Sequence, residues 1–290
     1  MGNRWKAGVW IEAMRLRTLP VSVAGVVAGC AMAAGAGRLN VAVAAICLAF
    51  AVLAQIASNF ANEYFDYKAG FDGPGRDGPR RGVSEGDISP RAMRAATLIT
   101  LAVACALGCL LILYGGWWLL GAGAVIALGA MAYSAGPYPL SRHCLGEVAV
   151  VFFFGIVPVN LTYYVQALGF TREVAQVSVA FGLMGAMVLL CNNYRDMVSD
   201  RATGKHTLVT AFGRGVAGAL YAAMGAGAAL LLAGFGAVAV LPAVLGAVAG
   251  GVMIVRRRRL TGVECTPLLG ITSMVMLVAS VWLFIVAACV

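Results

Sequence analysis

Amide and carboxylate side chains end a long apolar segment near residue 60. The segment begins at Leu39 with the uncharged run LNVAVAAICLAFAVLAQIASNFA and continues into NEYFDYKAGFD, which ends at Asp72. Its polar residues recur at spacings of four, three and four: Gln55, Asn59, Asn62 and Asp66. In a helix these positions share one face. Because an unpaired amide in lipid costs free energy, we expect that face to point into a helix bundle.

A second segment ends in the same way, with CNNYRDMVSDRATGK over residues 191–205. Asn192, Asp196 and Asp200 recur every fourth residue, and Asn193 lies beside them. If the two segment ends meet, their carboxylates form a catalytic site of four negative charges: Asp66, Asp72, Asp196 and Asp200. Carboxylates so close together need cations to stay ionised.

Oxygen ligands without thiolate or imidazole favour Mg²⁺, with Mn²⁺ as an alternative. We expect two Mg²⁺ ions, and the metal ligands that we predict are carboxylates and one amide: Asn62, Asp66, Asp72, Asp196 and Asp200. In proteins Mg²⁺ commonly joins carboxylates to substrate phosphates. Basic residues beside the aspartates would then bind the phosphate oxygens: Lys68, Arg76, Arg81 and Lys205. A reading as solvated helix ends explains one such cluster more easily than two matched ones.

A phosphate site against a membrane suggests a diphosphate with a lipid tail. Ionising the allylic bond of a prenyl diphosphate needs charge stabilisation on the leaving group and a dry, aromatic cavity for the cation. Candidate aromatic residues for that cavity are Tyr64, Phe65, Tyr133, Tyr138, Phe152 to Phe154, Tyr163 and Tyr164. Candidate amides in the substrate pocket are Asn59, Asn160, Asn192 and Asn193.

The bulk composition requires a membrane around these sites. The chain has 290 residues, of which 61% are hydrophobic and only 11% charged, against about 25% charged in soluble domains. We predict an all-α, polytopic bundle of nine transmembrane helices, forming one domain over residues 1–290 with cap loops on the cytoplasmic side. The predicted spans are 18–36, 40–63, 92–114, 116–134, 146–168, 174–195, 216–234, 236–255 and 267–289.

Charge placement predicts the orientation of the bundle. With the N-terminus inside, all but two of the 21 basic residues, Arg38 and Arg172, fall on the cytoplasmic side. The net charge of +9 therefore indicates topology and attraction to anionic lipid, not nucleic-acid binding. The eight cysteines form no Cys-x-x-Cys pair and predict neither a metal cluster nor a disulfide framework.

The two aspartate-rich segments resemble the paired motifs of the UbiA superfamily of intramembrane prenyltransferases. More narrowly, the chain resembles the MenA group in four stretches: RLRTLP from Arg15, GPRRG from Gly78, YSAGPYPLSRHCLGEV from Tyr133 and FFFGIVPVNLTYYVQ from Phe152. The similarity covers residues 15 to about 214. It also implies that Arg17, in the matching N-terminal segment, binds the diphosphate. Glu63 stands where the family usually has aspartate, so we treat it as a residue that supports the ligands.

The resemblance implies a reaction and a location. A polyprenyl diphosphate would lose diphosphate, and its allylic cation would be attacked by 1,4-dihydroxy-2-naphthoate with loss of CO₂, leading to demethylmenaquinone. The enzyme would lie in the inner cell membrane, with its N-terminus and active site cytoplasmic and its C-terminus on the far side.

Three alternatives stay open from sequence. The alternative acceptors are 4-hydroxybenzoate, homogentisate and a glycerol phosphate. An ion-coupled transporter also buries amides and acids, although its acids should lie near the midplane rather than at one rim. A membrane scaffold without catalysis would leave the aspartates unexplained.

Overall fold

The computed structural model describes residues 6–71 and 80–289. Its regular structure is helical, apart from one parallel bridge between His143 and His206. The α-helices are α1 Lys6–Met14, α2 Leu19–Gly35, α3 Val41–Lys68, α4 Pro90–Leu110, α5 Ile112–Gly115, α6 Leu119–Ala132, α7 Gly146–Val150, α8 Val157–Ala167, α9 Arg172–Arg195, α10 Met197–Ala202, α11 Leu208–Leu232, α12 Val240–Val255 and α13 Thr266–Ala288. A π-helical segment, Val151–Ile156, joins α7 to α8.

Polar side chains start the long helices where the sequence leaves the apolar runs. Asn40 accepts hydrogen bonds from the backbone N–H groups of Ala42 and Val43 and so begins α3. Ser89 begins α4 in the same way, and Thr171 begins α9. These caps satisfy N–H groups that have no partner within the helix.

Seven helical stretches of the described residues are long and apolar enough to cross a membrane. One of them, Leu208–Val255, has 48 residues and contains both α11 and α12. A 3₁₀ segment, Ala233–Ala239, lies between these two helices, and Gly236 within it has a φ of 76°. Helix α6 is apolar but has only 14 residues. The structure therefore confirms a polytopic helical protein with seven candidate spans.

Glycines allow the central helices to approach closely. The small-residue spacing of Gly25 and Gly29 predicts such packing, and the structure confirms it against α8. A β-carbon at Gly25 would lie 2.8 Å from the carbonyl oxygen of Phe154, and one at Gly29 would lie 2.7 Å from that of Val159. The most enclosed helix is α9, which packs against α2, α11, α13 and the π-helical segment. The aspartates of the second aspartate segment follow the end of this enclosed helix.

Candidate active site

The polar stripe of α3 faces the protein interior. Gln55, Asn59, Asn62 and Asp66 are all buried. The Nε2 atom of Gln55 donates to Asn59 Oδ1 over 3.1 Å, and Asn59 Nδ2 donates to the carbonyl oxygen of Met14 over 2.9 Å. The stripe therefore satisfies its own amides and ties the N-terminal helix to α3, as buried polar groups require.

Asp66 lies at the end of this stripe that we predict to be cytoplasmic, and its side chain is 2% exposed. Asn62 Nδ2 donates to Asp66 Oδ2 over 3.0 Å, and Arg142 Nη2 donates to Asp66 Oδ1 over 2.8 Å. Arg142 also donates to the carbonyl oxygen of Phe65 over 3.2 Å, and its guanidinium lies 4.3 Å from the centre of the Phe71 ring. Asn62 in turn accepts from Arg15 Nη2 over 2.5 Å. One carboxylate thus connects α3 to the loop after α6.

The second aspartate group lies around the end of α9. Asp196 is fully buried, and Arg195 donates to its two carboxylate oxygens over 2.6 and 2.9 Å. The same arginine donates to Asn192 Oδ1 over 2.7 Å. Asp200 is buried on α10, with Lys205 Nζ 3.5 Å from its Oδ1. Basic groups balance each carboxylate, as burial requires.

Several contacts bring the two aspartate groups to the same end of the bundle. The N–H of Cys144, two residues after Arg142, donates to the carbonyl oxygen of His206 over 3.1 Å. His206 follows Lys205, which pairs with Asp200. The parallel bridge between His143 and His206 joins the same two segments. Burial and the negative charge of Glu147 together raise the pKa of the Cys144 thiol in this loop.

The donor set fits a hard divalent cation, because it consists of buried carboxylate and amide oxygens. Asp72 lies outside the described residues, so the structure describes three of the four predicted carboxylates. Within residues 6–71 and 80–289, no three His, Cys, Asp or Glu side chains are grouped closely enough to enclose a metal. The described carboxylates therefore do not by themselves form a closed metal cage.

The predicted phosphate-binding residues have different surroundings. Arg81 is 6% exposed, and its Nη1 lies 4.0 Å from Glu63 Oε2. Lys205 contacts Asp200, as described above. Lys68 and Arg17 are exposed and make no side-chain hydrogen bond or ion pair within the described part of the chain. Arg76 lies outside the described residues.

An apolar cavity of about 340 Å³ extends from this end of the bundle between α3, α4, α6 and α8. Tyr133 lines it, together with Phe153 and Phe154 of the π-helical segment and the polar residues Ser22 and Gln55. Every described residue that lines it lies between Ser22 and Val165. A long apolar molecule with a polar head fits a cavity of this composition.

Most of the other predicted pocket residues lie outside this lining. Tyr138 is exposed and stacks on His143 with ring centres 3.6 Å apart. Asn160 Nδ2 donates to the carbonyl oxygen of Ile156, and Tyr163 packs into the hydrophobic core. The Tyr164 hydroxyl accepts from Trp118 Nε1 over 2.9 Å.

The amides of the pocket prediction also differ in their partners. Asn193 Nδ2 donates to Oε1 of buried Glu147 over 2.9 Å, whereas Asn192 contacts Arg195. Sequence reasoning did not assign roles to Arg15, Arg142, Arg195 or Glu147. The position of Arg195 directly before Asp196 was a usable signal, because adjacent opposite charges at a helix end often pair. Arg142 and Glu147 gave no such local signal.

Comparison with known proteins supports one family. The model of the UbiA prenyltransferase family matches residues 22–266. A 1,4-dihydroxy-2-naphthoate octaprenyltransferase of Escherichia coli (strain K12) is 37% identical over 212 residues, which are 70% of this chain and 68% of that protein. The Mycobacterium tuberculosis (strain ATCC 25618 / H37Rv) protein of the same name is 38% identical over 207 residues, 70% of each chain.

Solved structures agree on the fold. A UbiA homolog from Archaeoglobus fulgidus bound to GPP and Mg²⁺ superposes with a TM-score of 0.67 at 16% identity, over 95% of this chain and 99% of that one. The structure of a UbiA homolog from Aeropyrum pernix K1 gives a TM-score of 0.66 at 18% identity, over 94% and 98% of the two chains.

Proposed function

The chain belongs to the UbiA prenyltransferase family, and on that premise we propose that it prenylates 1,4-dihydroxy-2-naphthoate. The donor is an allylic polyprenyl diphosphate, and the reaction releases diphosphate and CO₂ on the way to menaquinone. The observation that supports this proposal most directly is the pair of buried aspartate groups at one end of an apolar cavity. The names of the bacterial relatives support the choice of acceptor.

The residues of the chain divide the work by their positions. Asp66, Asp196 and Asp200, with Asn62 and Asp72, would hold Mg²⁺, which we propose binds as two ions. When bound, Mg²⁺ neutralises the charge that develops on the leaving diphosphate. Arg81, Lys205, Lys68, Arg17 and Arg76 would pair with the diphosphate oxygens. Tyr133, Phe153 and Phe154 keep water away from the prenyl chain and present aromatic faces to a cation.

The bond changes balance without a further reactant. The allylic C–O bond breaks and its electron pair leaves with diphosphate. The naphthoate carbon that carries the carboxylate then forms a C–C bond to the allylic carbon. The C–C bond to the carboxylate breaks next and CO₂ leaves. The electron pair of the broken bond stays with the ring and restores its aromaticity. The product is the prenylated naphthohydroquinone, the reduced form of demethylmenaquinone.

We also propose nine crossings in a single domain. Helices α11 and α12 each have an apolar face and run back against one another, with Gly225 and Gly246 in contact. Counting them separately and adding α6 gives the predicted topology. The excess of basic residues at the aspartate end supports a cytoplasmic active site and N-terminus in the inner membrane.

An acceptor screen tests the function. The purified protein in detergent receives farnesyl diphosphate, Mg²⁺ and one acceptor: 1,4-dihydroxy-2-naphthoate, 4-hydroxybenzoate, homogentisate or glycerol 1-phosphate. We expect a prenylated, decarboxylated product from the naphthoate alone, which EDTA abolishes and excess Mg²⁺ restores. A product formed only from another acceptor refutes the naphthoate proposal, and turnover unaffected by EDTA refutes the metal proposal.

A further inference from the structure

A second basic site lies at the aspartate end of the bundle but outside the cavity. Arg256, Arg257, Arg258 and Arg259 follow α12 and line an open depression of about 1020 Å³ together with Leu260 and Glu264. We call this depression the arginine bowl. Its four arginine side chains are exposed and make no hydrogen bond or ion pair within the described residues. Glu264 is the one acidic residue of its described lining, so the bowl is strongly positive.

Arg214 extends this positive surface inward. Its guanidinium lies 5.4 Å from the centre of the buried Tyr194 ring. Its Nε and Nη2 atoms are buried and have no hydrogen-bond partner within the described part of the chain. Since buried donors without acceptors are unfavourable, these N–H groups favour a bound acceptor such as a phosphate oxygen.

Arg257 reaches the same place from the bowl. Its Nη1 lies 3.7 Å from the position that a β-carbon on Gly215 would occupy, so Arg257 packs beside the residue that follows Arg214. Gly213 has a φ of 82° and breaks the helical backbone, so a new helical run starts at residue 214. The first N–H groups of a helix have no partners within it and carry positive potential. Arg257 therefore lies beside the helix start that carries Arg214.

Exposed apolar side chains border these arginines. Phe212 and Val255 are 61% and 83% exposed, and Val216 is also exposed. A free phosphate ion gains nothing from such neighbours, whereas a phospholipid presents a phosphate beside acyl chains. The tyrosine hydroxyl of Tyr194 donates to the carbonyl oxygen of Met253, which places the bowl at the aspartate end of the bundle.

We propose that the arginine bowl, with Arg214, is a binding site for the headgroup phosphate of an anionic phospholipid. The phosphate lies between Arg214 and Arg257, and the acyl chains lie along Phe212, Val216 and Val255. This site is separate from the apolar cavity, because none of its residues belongs to the described cavity lining, which lies between Ser22 and Val165 in the sequence. Its existence does not depend on the reaction that the cavity carries out.

Native mass spectrometry of the delipidated full-length chain tests the proposal with phosphatidylglycerol and phosphatidylcholine. The test variant is Arg256→Gln with Arg257→Gln. The matched control is Arg91→Gln with Arg94→Gln, which removes two exposed arginines from the start of α4. We expect wild type and control to prefer phosphatidylglycerol, and the test variant to bind it about thirtyfold more weakly, because each arginine near an anionic lipid contributes roughly a factor of five.

Three results overturn the proposal. Equal losses in both double variants would show general charge attraction instead of a site, and equal binding of the two lipids would show no selection for anionic headgroups. Displacement of phosphatidylglycerol by millimolar glycerol 3-phosphate would show a soluble phosphate site. An additional variant, Arg214→Gln, should lose the preference for phosphatidylglycerol over phosphatidylcholine while still unfolding cooperatively without metal. If it unfolds cooperatively and keeps this preference, Arg214 is not part of the site.

Discussion

Arg142 Nη2 lies 2.8 Å from Asp66 Oδ1, although the two residues are 76 positions apart in the chain. The contact joins the end of α3 to the loop after α6, and Arg195 makes an equivalent contact with Asp196. In each case an arginine forms an ion pair with a carboxylate that we predict from the sequence to bind metal. A divalent cation that bound these aspartates would therefore compete with two guanidinium groups.

Replacing these aspartates by asparagine should abolish turnover. Asp66→Asn and Asp196→Asn keep side-chain size, but each replaces one acceptor oxygen by an N–H₂ donor. Each also removes the charge that we propose holds Mg²⁺ and that pairs with a buried arginine, so we expect a lower melting temperature as well. We expect turnover to fall at least about a hundredfold, because a catalytic metal contributes several kcal/mol. The measurement is the initial rate of prenyl transfer, with insertion checked by size-exclusion profile. The control is Asp87→Asn, because Asp87 forms a salt bridge with Arg80 in a loop. Full activity in both test variants would refute the metal assignment.

Removing Arg142 should destabilise the metal-free protein. Arg142→Met leaves Asp66, 2% exposed, without its closest basic partner, and breaking a buried pair costs about 3 kcal/mol or more. We expect a lower melting temperature in EDTA, with partial recovery when Mg²⁺ is added, since the ion supplies the missing positive charge. Arg142→Lys should lie between, because lysine cannot reach both the Asp66 carboxylate and the Phe65 carbonyl.

The interpretation of Arg142 is open to a direct check. Arg91→Met, at an exposed position of α4, is the matched control and should melt like wild type. If Arg142→Met melts at the wild-type temperature in EDTA, the Asp66 contact is not important for the metal-free state.

Glu63 should act through Arg81, which we propose binds the diphosphate. Its Oε1 accepts from the N–H of Val83 over 3.1 Å, and its Oε2 lies 4.0 Å from Arg81. Glu63→Gln weakens the hold on Arg81, so we expect KM for the prenyl diphosphate to rise about tenfold, as for loss of one charged hydrogen bond, with a smaller change in kcat. Glu85→Gln, on the exposed part of the same loop, should change neither value. A drop in kcat at constant KM would instead place Glu63 among the metal ligands.

The sequence predicted the elements that carry a strong local pattern. The stripe from Gln55 to Asp66 recurs at helical spacing, and its burial follows from the cost of unpaired amides in lipid. The small-residue spacing of Gly25 and Gly29 likewise predicted a close helix contact. In both cases the decisive information lies within a dozen residues.

Features that depend on helix rotation were beyond the sequence. Tyr163 and Tyr164 are adjacent and so point about 100° apart on a helix, and packing against other helices decides which surface each one meets. Tyr163 packs into the core and Tyr164 bonds to Trp118. The π-helical segment adds a local change of register that places both Phe153 and Phe154 at the cavity, and no composition signal announces it.

The close contact between Gly155 and Gly182 should be essential for the fold. Gly155 lies within the π-helical segment, and a β-carbon there would overlap the backbone of Gly182 on α9. Because backbone cannot move aside as a flexible side chain can, Gly155→Ala should destabilise the protein by about 3 kcal/mol, at the upper end for overpacking. Gly123→Ala is the matched control, since its β-carbon on α6 meets nothing within 4 Å, and it should leave stability equal or raise it by up to about 1 kcal/mol. Thermal unfolding in detergent measures both, and equal melting temperatures would mean that α9 and the π-helical segment lie farther apart than described.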